Sequence, residues 1–401
     1  MTDKSGQALD KVRVLDLTED RGLYVGKMLA DLGAEVIKIE KPDGSKARQV
    51  GPFKDDVPGL ESSLYFINFN TNKKSITLNL QSPAGQDIFR KLVQKSDIVT
   101  EDFEPGVMKS LGLDYPVLKE LNKGIILASV TGFGQDGPYC HYNAPDIVSF
   151  AMGGIMYISG EPERAPVVAP CEQAYHGTSI IATFGIITAL YQRLSTGEGQ
   201  MVDISAHEVM TAMNEELVMR YSLTFDIEER CGSQHKSSPA RIYPCKDGYV
   251  HLVVLRAHHW INLLEIMGNP ELLMDEVWLD TGFRRVNTDF IDPIIAEFTM
   301  NYTKKELTEM CQARQISCTP VNTAADCTDD AHVKDRALIT EIEHPVIGRH
   351  RYIGPPYRLH ETPCRIERPA PQLGQHNKDV YSGQLGYSDT ELARLKAEGV
   401  I

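Results

Sequence analysis

Hydrophobic positions in the first third of the chain follow two alternating rhythms. Short runs rich in branched apolar residues, VRVLDL (12–17), AEVIKIE (34–40), SITLNL (75–80), DIVTEDF (97–103) and GIILASV (124–130), read as strands. Between them stand segments of helical period. GLYVGKMLADLG (22–33) ends on Gly33, a natural C-cap. SPAGQDIFRKLVQKS opens with Ser82 as N-cap and Pro83 at the first helical position. Its Ile88, Phe89, Leu92 and Val93 form one core-facing stripe. This alternation predicts an α/β fold with a mostly parallel, Rossmann-like sheet covered by helices on both faces. Ligands in such a sheet bind beyond the carboxyl ends of the strands.

Further along, IIATFGIITALY (180–191) is too short to cross a bilayer and reads as a buried helix. From about residue 225 the pattern loosens. YPCKDGYVHLVVL (243–255) predicts a hairpin around Asp247-Gly248, helices follow over 258–313, and HPVIGRHRYIGPPYRL (344–359) reads as loop and strand. SDTELARLKAEG (388–399) predicts a last helix with Ser388 and Glu391 as a capping box. The organisation expected is a large α/β domain (1–224), a smaller α+β domain (225–330) and a C-terminal return (331–401) that completes the first.

Composition changes this picture little. The 401 residues are 42% hydrophobic and 24% charged, as in ordinary globular domains. A balance of 41 basic and 55 acidic residues gives a net charge of −14, spread along the chain. That argues against nucleic acid as a partner, since phosphate-backbone binding needs a basic stripe. It leaves room for a local cationic cavity for one phosphorylated ligand. MTDKSGQALD has no apolar signal-peptide core, and no membrane partner is expected. The eight cysteines form no CxxC pair, which points to reduced thiols in a cytoplasm. The pair in HHW (258–260) lacks a third ligand at useful spacing, so no metal is expected.

Several strings resemble the family III CoA-transferases: VRVLDLT…LADLGAEVIKIEKP, NKKSITLNL, SDIVTEDFEPGVMKSLGLDY, ILASVTGFGQDGP, YQRLSTGEGQMVDIS, DGYVHL, SCTPVNTAADC and LGQHNKDVYSGQLGYSDTELARLKAEGVI. They run in the family's order over nearly the whole chain. The resemblance implies two chains threaded as interlocked rings, no cofactor, and a CoA thioester as substrate. It also implies a carboxylate nucleophile. An Asp attacks the donor thioester to give a mixed anhydride and CoA thiolate, the thiolate returns to make an enzyme thioester, and the acceptor acid collects CoA by the reverse steps.

In the family that Asp lies four residues before a Gly that opens an apolar helix. With Gly177 as that Gly, the position falls on Gln173, whose amide cannot form the anhydride. No catalytic residue is therefore expected in this chain. Glu172 is the less favoured substitute, because a one-residue shift in an extended segment turns a side chain to the other side. His176 reads as a locally bonded helix-start histidine and Tyr175 as packing. The resemblance places the CoA site at Lys41, Leu78, Asn79, Asp102, Phe103 and Glu104. Its phosphate cations are thinned: Ser110 stands where an Arg is common, with Lys109 beside it, and Gln81 where a Lys can occur. GLY (22–24) replaces the usual Gly-Pro.

A racemase of the same fold would need a His just before Asp146 and the missing Asp. Pro145 and Gln173 stand there, which rejects it. The expectation is a structural partner of a homologous catalytic CoA-transferase subunit. Within the family the resemblance points to a two-subunit complex with succinyl-CoA as donor and benzylsuccinate as the organic-acid acceptor. The alternatives are a self-sufficient homodimeric transferase using Glu172 and a CoA-binding pseudoenzyme sensor.

Overall fold

The structure is a computed structural model that describes residues 6–233 and 239–401; the first five residues of the polar N-terminal stretch lie outside it. The chain divides into two compact units. Of the described residues, one comprises 6–155, 169–216 and 334–401, the other 156–168, 217–233 and 239–333.

The first unit is built on six parallel strands, β1 (Arg13–Asp16), β2 (Glu35–Glu40), β3 (Lys74–Thr77), β4 (Ile98–Glu101), β5 (Ile126–Thr131) and β6 (Met201–Ser205). Their spatial order is β3-β2-β1-β4-β5-β6, the Rossmann arrangement, with its switch point between β1 and β4. The helices that cover it are α1 (Leu23–Asp31), α2 (Leu64–Phe69), α3 (Pro83–Val93), α4 (Val107–Ser110), α5 (Tyr115–Leu121), α6 (Asp146–Met152), α7 (Gln173–Thr196) and α8 (Ala206–Ala212). Ser82 caps α3 as its sequence predicts, its hydroxyl accepting the Gly85 N–H at 3.0 Å. The stripe Ile88, Phe89, Leu92 and Val93 is buried against Leu15, Ile37, Ile76 and Val99 of the strands.

Two strands are shorter than their apolar runs. β3 stops at Thr77 and β4 at Glu101. The residues beyond, Leu78–Gln81 and Asp102–Glu104, leave the ladder and turn along the carboxyl edge of the sheet. Gly85 permits this course: a Cβ there would collide with the Asn79 carbonyl.

The C-terminal segment returns to this unit. Val380, Tyr381, Leu395 and Val400 join the sheet's core, and Tyr381 donates to the Thr77 carbonyl at 2.6 Å. The predicted terminal capping box is present at Ser388 and Glu391. Residues 344–359 hold part of an antiparallel pair, Ile339–His344 with Gly348–Ile353.

One buried guanidinium fastens these pieces together. Arg48 donates to both carboxylate oxygens of Glu40 at 2.6 and 3.0 Å, to the carbonyls of Leu60 and Pro371, and to Glu61, while lying 3.7 Å over the Phe66 ring. Glu40 also accepts the Ser75 hydroxyl at 2.7 Å. The pair thus connects β2, β3, α2 and the C-terminal segment.

The second unit carries the predicted hairpin, Ala240–Cys245 with Gly248–Val253, extended by Ser317–Pro320 into a three-stranded antiparallel sheet. Helices including Ala257–Ile266 and Thr288–Thr299 pack a core around Trp260, Ile291 and Ile295 against it.

The apolar run 180–191 departs from its expected burial. It lies in α7, and only one face is covered, through Ala182, Ile186, Ala189 and Leu190. The other face shows Phe184, Tyr191 and Leu194 at 69%, 77% and 83% exposure. The run is apolar all round, so periodicity could not reveal that this chain covers one side only.

Arg48→Met should destabilise the protein by about 3–5 kcal/mol, because it leaves the Glu40 charge buried without its partner. Urea unfolding read by circular dichroism measures this.

Candidate functional site

The carboxyl ends of β1, β2, β3 and β4 enclose a cavity of about 470 Å³ at the switch point of the sheet. All six residues placed at a CoA site by resemblance line it. Leu78 and Asn79 form one wall, Asp102, Phe103 and Glu104 the opposite one, and Lys41 the exposed rim. Gln81 lines it too. Lys109 and Ser110 do not; the Ser110 hydroxyl turns back onto the Val107 carbonyl at 2.8 Å. The volume lies within the range of small-molecule sites, and Lys41, Lys46 and Arg21 are the cations available to phosphate.

The floor is the β1–α1 loop, and Asp102 fixes its shape. Its carboxylate accepts the backbone N–H groups of Glu19 and Asp20 at 2.8 Å each and of Gly22 at 3.2 Å. Arg21 then reaches across to Glu104 at 2.9 Å. Asp102 is thus spent on positioning a loop and is not free to meet a ligand. Deeper down, Lys73 is buried 2.7 Å from Asp16, and burial pulls its pKa down to about 8 against the pull of that carboxylate.

Next to this cavity lies a slot of only about 10 Å³, lined by Asp20, Arg21, Tyr65, Phe69, Glu172, Tyr175 and His176 among others. The entry to α7 forms its side. Cys171 (φ 64°) and Glu172 (φ 52°, ψ 48°) are both left-handed, a conformation uncommon outside glycine. Two such residues in succession reverse the side-chain directions expected of an extended loop. Glu172 therefore points inward, accepting the Tyr65 hydroxyl at 2.9 Å. Gln173 faces solvent, its amide donating to the carbonyls of Pro170 and Cys171 at 3.3 and 3.2 Å.

The helix has no cap of its own; Asp146 supplies one by accepting the Tyr175 N–H at 2.9 Å. Tyr175 is buried, with its hydroxyl 3.2 Å from the Ala144 carbonyl. His176 is held locally, Nδ1 lying 2.7 Å from the Glu172 carbonyl, and its ring packs on Tyr24 and Phe69.

Asp20, Arg21 and Tyr65 are site residues that the sequence reading passed over. A signal existed for the first two, since the loop after the first strand of such a sheet is where ligands approach. Tyr65 gave none; it sits in a short apolar helix indistinguishable from packing. Burial, then the Glu172 and Asp20 charges, push the Tyr65 phenol well above its usual range, so it remains a donor to Glu172.

Asp20 lines both spaces. Burial, then the nearby Asp102 and Glu172, raise its carboxyl to about 6, while Arg21 and Lys46 pull the other way. Its charge therefore opposes folding above that pH, and the cost fades as pH falls from about 6 toward the unfolded value. Asp20→Asn should raise the melting temperature at pH 7.5, with the gain vanishing near pH 4; a calorimetric pH series measures it.

Among the described residues no group of three His, Cys, Asp or Glu side chains could hold a metal ion, and His258 and His259 contact each other. No helix of the described residues is long and apolar enough to cross a membrane.

This chain is 36% identical over 400 residues to the succinyl-CoA–D-citramalate CoA-transferase of Chloroflexus aurantiacus, covering 98% of each chain. It is 30% identical over 407 residues to subunit BbsE of the succinyl-CoA:(R)-benzylsuccinate CoA-transferase of Thauera aromatica, covering 99% of this chain and 98% of that one. The crystal structure of a CAIB/BAIF family protein from Brucella suis superposes with a TM-score of 0.87 at 30% identity, over 94% of this chain and 99% of that one. The family model for CoA-transferase family III matches residues 9–377. With the six-stranded parallel sheet and the cavity at its switch point, these likenesses establish that the chain belongs to the family III CoA-transferases.

Proposed function

We propose that this chain is the non-nucleophilic subunit of a two-chain family III CoA-transferase. The family moves CoA between acids, with acyl-CoA thioesters as substrates and no cofactor. In this reading the 470 Å³ cavity accepts CoA, with Lys41 and Lys46 facing its phosphates. A homologous sister chain supplies the attacking carboxylate, and the two chains interlock as rings. Succinyl-CoA is the donor and an aromatic dicarboxylic acid, benzylsuccinate, the acceptor, by analogy with the BbsE relative, which is itself named a subunit.

One observation carries the reading. At the entry to α7, Gln173 offers an amide to solvent, and Glu172 is fixed under Tyr65 beside about 10 Å³ of free space. A nucleophile needs room for the acyl group it will carry; that space admits at most a single water. The exposed apolar face of α7 supports a missing partner, since such a stripe is costly in water.

A second reading rests on the same loop. Glu172 does face inward, and Asp20 lines both its slot and the larger cavity. Release of Glu172 by Tyr65, with a shift of Asp20 and Arg21, which line both spaces, would let Glu172 form the mixed anhydride as a self-sufficient enzyme.

Thioester exchange between succinyl-CoA and benzylsuccinate, followed by chromatography, separates the two. The subunit reading expects no turnover by the purified chain, turnover with its sister chain, and at most about a two-fold effect of Glu172→Gln in the mixture. Turnover by the lone chain that falls about 1000-fold in Glu172→Gln would establish the second reading instead.

A further inference from the structure

A second large cavity, about 520 Å³, lies in the C-terminal part of the first unit, between the antiparallel pair 339–353 and the segment that follows it. It is separate from the site at the switch point. The Arg365 N–H donates to the Asp31 carbonyl at 3.1 Å, which puts this wall at the C-terminal end of α1. A crossover helix runs antiparallel to its strands, so that end of α1 lies at the amino-terminal edge of the sheet. About 13 Å of helix separates it from the loop that floors the CoA cavity.

The lining is cationic in a chain whose net charge is −14. Arg336, Arg358, Arg365 and His360 surround the space, and Glu367 is the one carboxylate among the lining residues. These guanidiniums keep most of their donors. Arg358 gives one N–H to the Asp335 carbonyl at 3.3 Å. Arg365 lies 3.9 Å from Glu367, beyond hydrogen-bond reach. Arg336 makes no hydrogen bond or ion pair with another described residue.

The wall is built rather than loose. Asn72 donates to the Arg365 carbonyl and to Asp31 Oδ1, both at 2.7 Å, and its own oxygen accepts the N–H groups of Glu367 and Arg368 at 2.8 and 3.0 Å. Ile366 is buried beneath. The arginines stand exposed at the mouth of a held cavity, where an anion can fill their guanidinium forks.

We propose that this cavity is a binding site for a small multivalent oxyanion, an organic phosphate or a polycarboxylate. The proposal stands apart from the subunit reading, since it concerns neither the nucleophile nor the CoA cavity.

Calorimetric titration of the full chain at low salt with inorganic pyrophosphate and with citrate tests it. Saturable binding is expected, weakened about ten-fold or more in Arg358→Ala/Arg365→Ala, and retained in the presence of saturating CoA. The tighter of the two probes assigns the site to phosphate or to carboxylate chemistry. Three results overturn the proposal: no saturable binding of either probe, equal binding by the double variant, or displacement of the probe by CoA. Should the double variant not fold, Arg336→Ala on the exposed rim serves instead. It should weaken binding several-fold without lowering the melting temperature, and unchanged binding would reject the site.

Discussion

The buried pairing of Glu40 with Arg48 is the joint on which the carboxyl edge of the sheet hangs. Both groups are withdrawn from water, a penalty of several kcal/mol per ion that only dense hydrogen bonding offsets. Arg48 meets that demand with partners from separate stretches of chain, Leu60, Glu61 and Pro371 besides Glu40. The charge thereby draws distant segments to one point. Because Glu40 ends β2 and Lys41 begins the cavity rim, the joint also sets where that rim stands.

A similar economy operates in the β1–α1 loop. Carboxylates that resemble ligand-binding groups in the sequence turn out to hold backbone. Asp102 spends its oxygens on three N–H groups, and Asp16 is held by Lys73 and the Thr18 hydroxyl. Asp20 has no side-chain hydrogen bond to another described residue, and burial first, then the nearby Asp102 and Glu172, raise its pKa.

Much of this was legible in the sequence, and the losses have identifiable causes. The strands, α3 and its cap followed from periodicity and capping chemistry, since those signals are local. The resemblance gathered six scattered residues that the fold does bring to one cavity. Local rules misread the entry to α7. An extended chain there would point Gln173 and Glu172 oppositely to what is seen; two left-handed residues, neither of them glycine, invert the pair. Nothing in CEQ signals that geometry; the group that holds Glu172 in it, Tyr65, comes from elsewhere in the chain. The exposed face of α7 was illegible for a different reason, because sequence records that a side is apolar but not whether the chain itself covers it.

The left-handed pair at Cys171 and Glu172 also decides which side chain of this loop meets the interior. An acid placed at position 173 would be delivered by this backbone to solvent, as the amide of Gln173 now is. Burying the side chain at position 173 would require the two preceding residues to leave the left-handed region, and with them the hold of Tyr65 on Glu172 to be released. The shape of the loop, more than the identity of any one residue in it, sets which of its groups is buried and which is exposed.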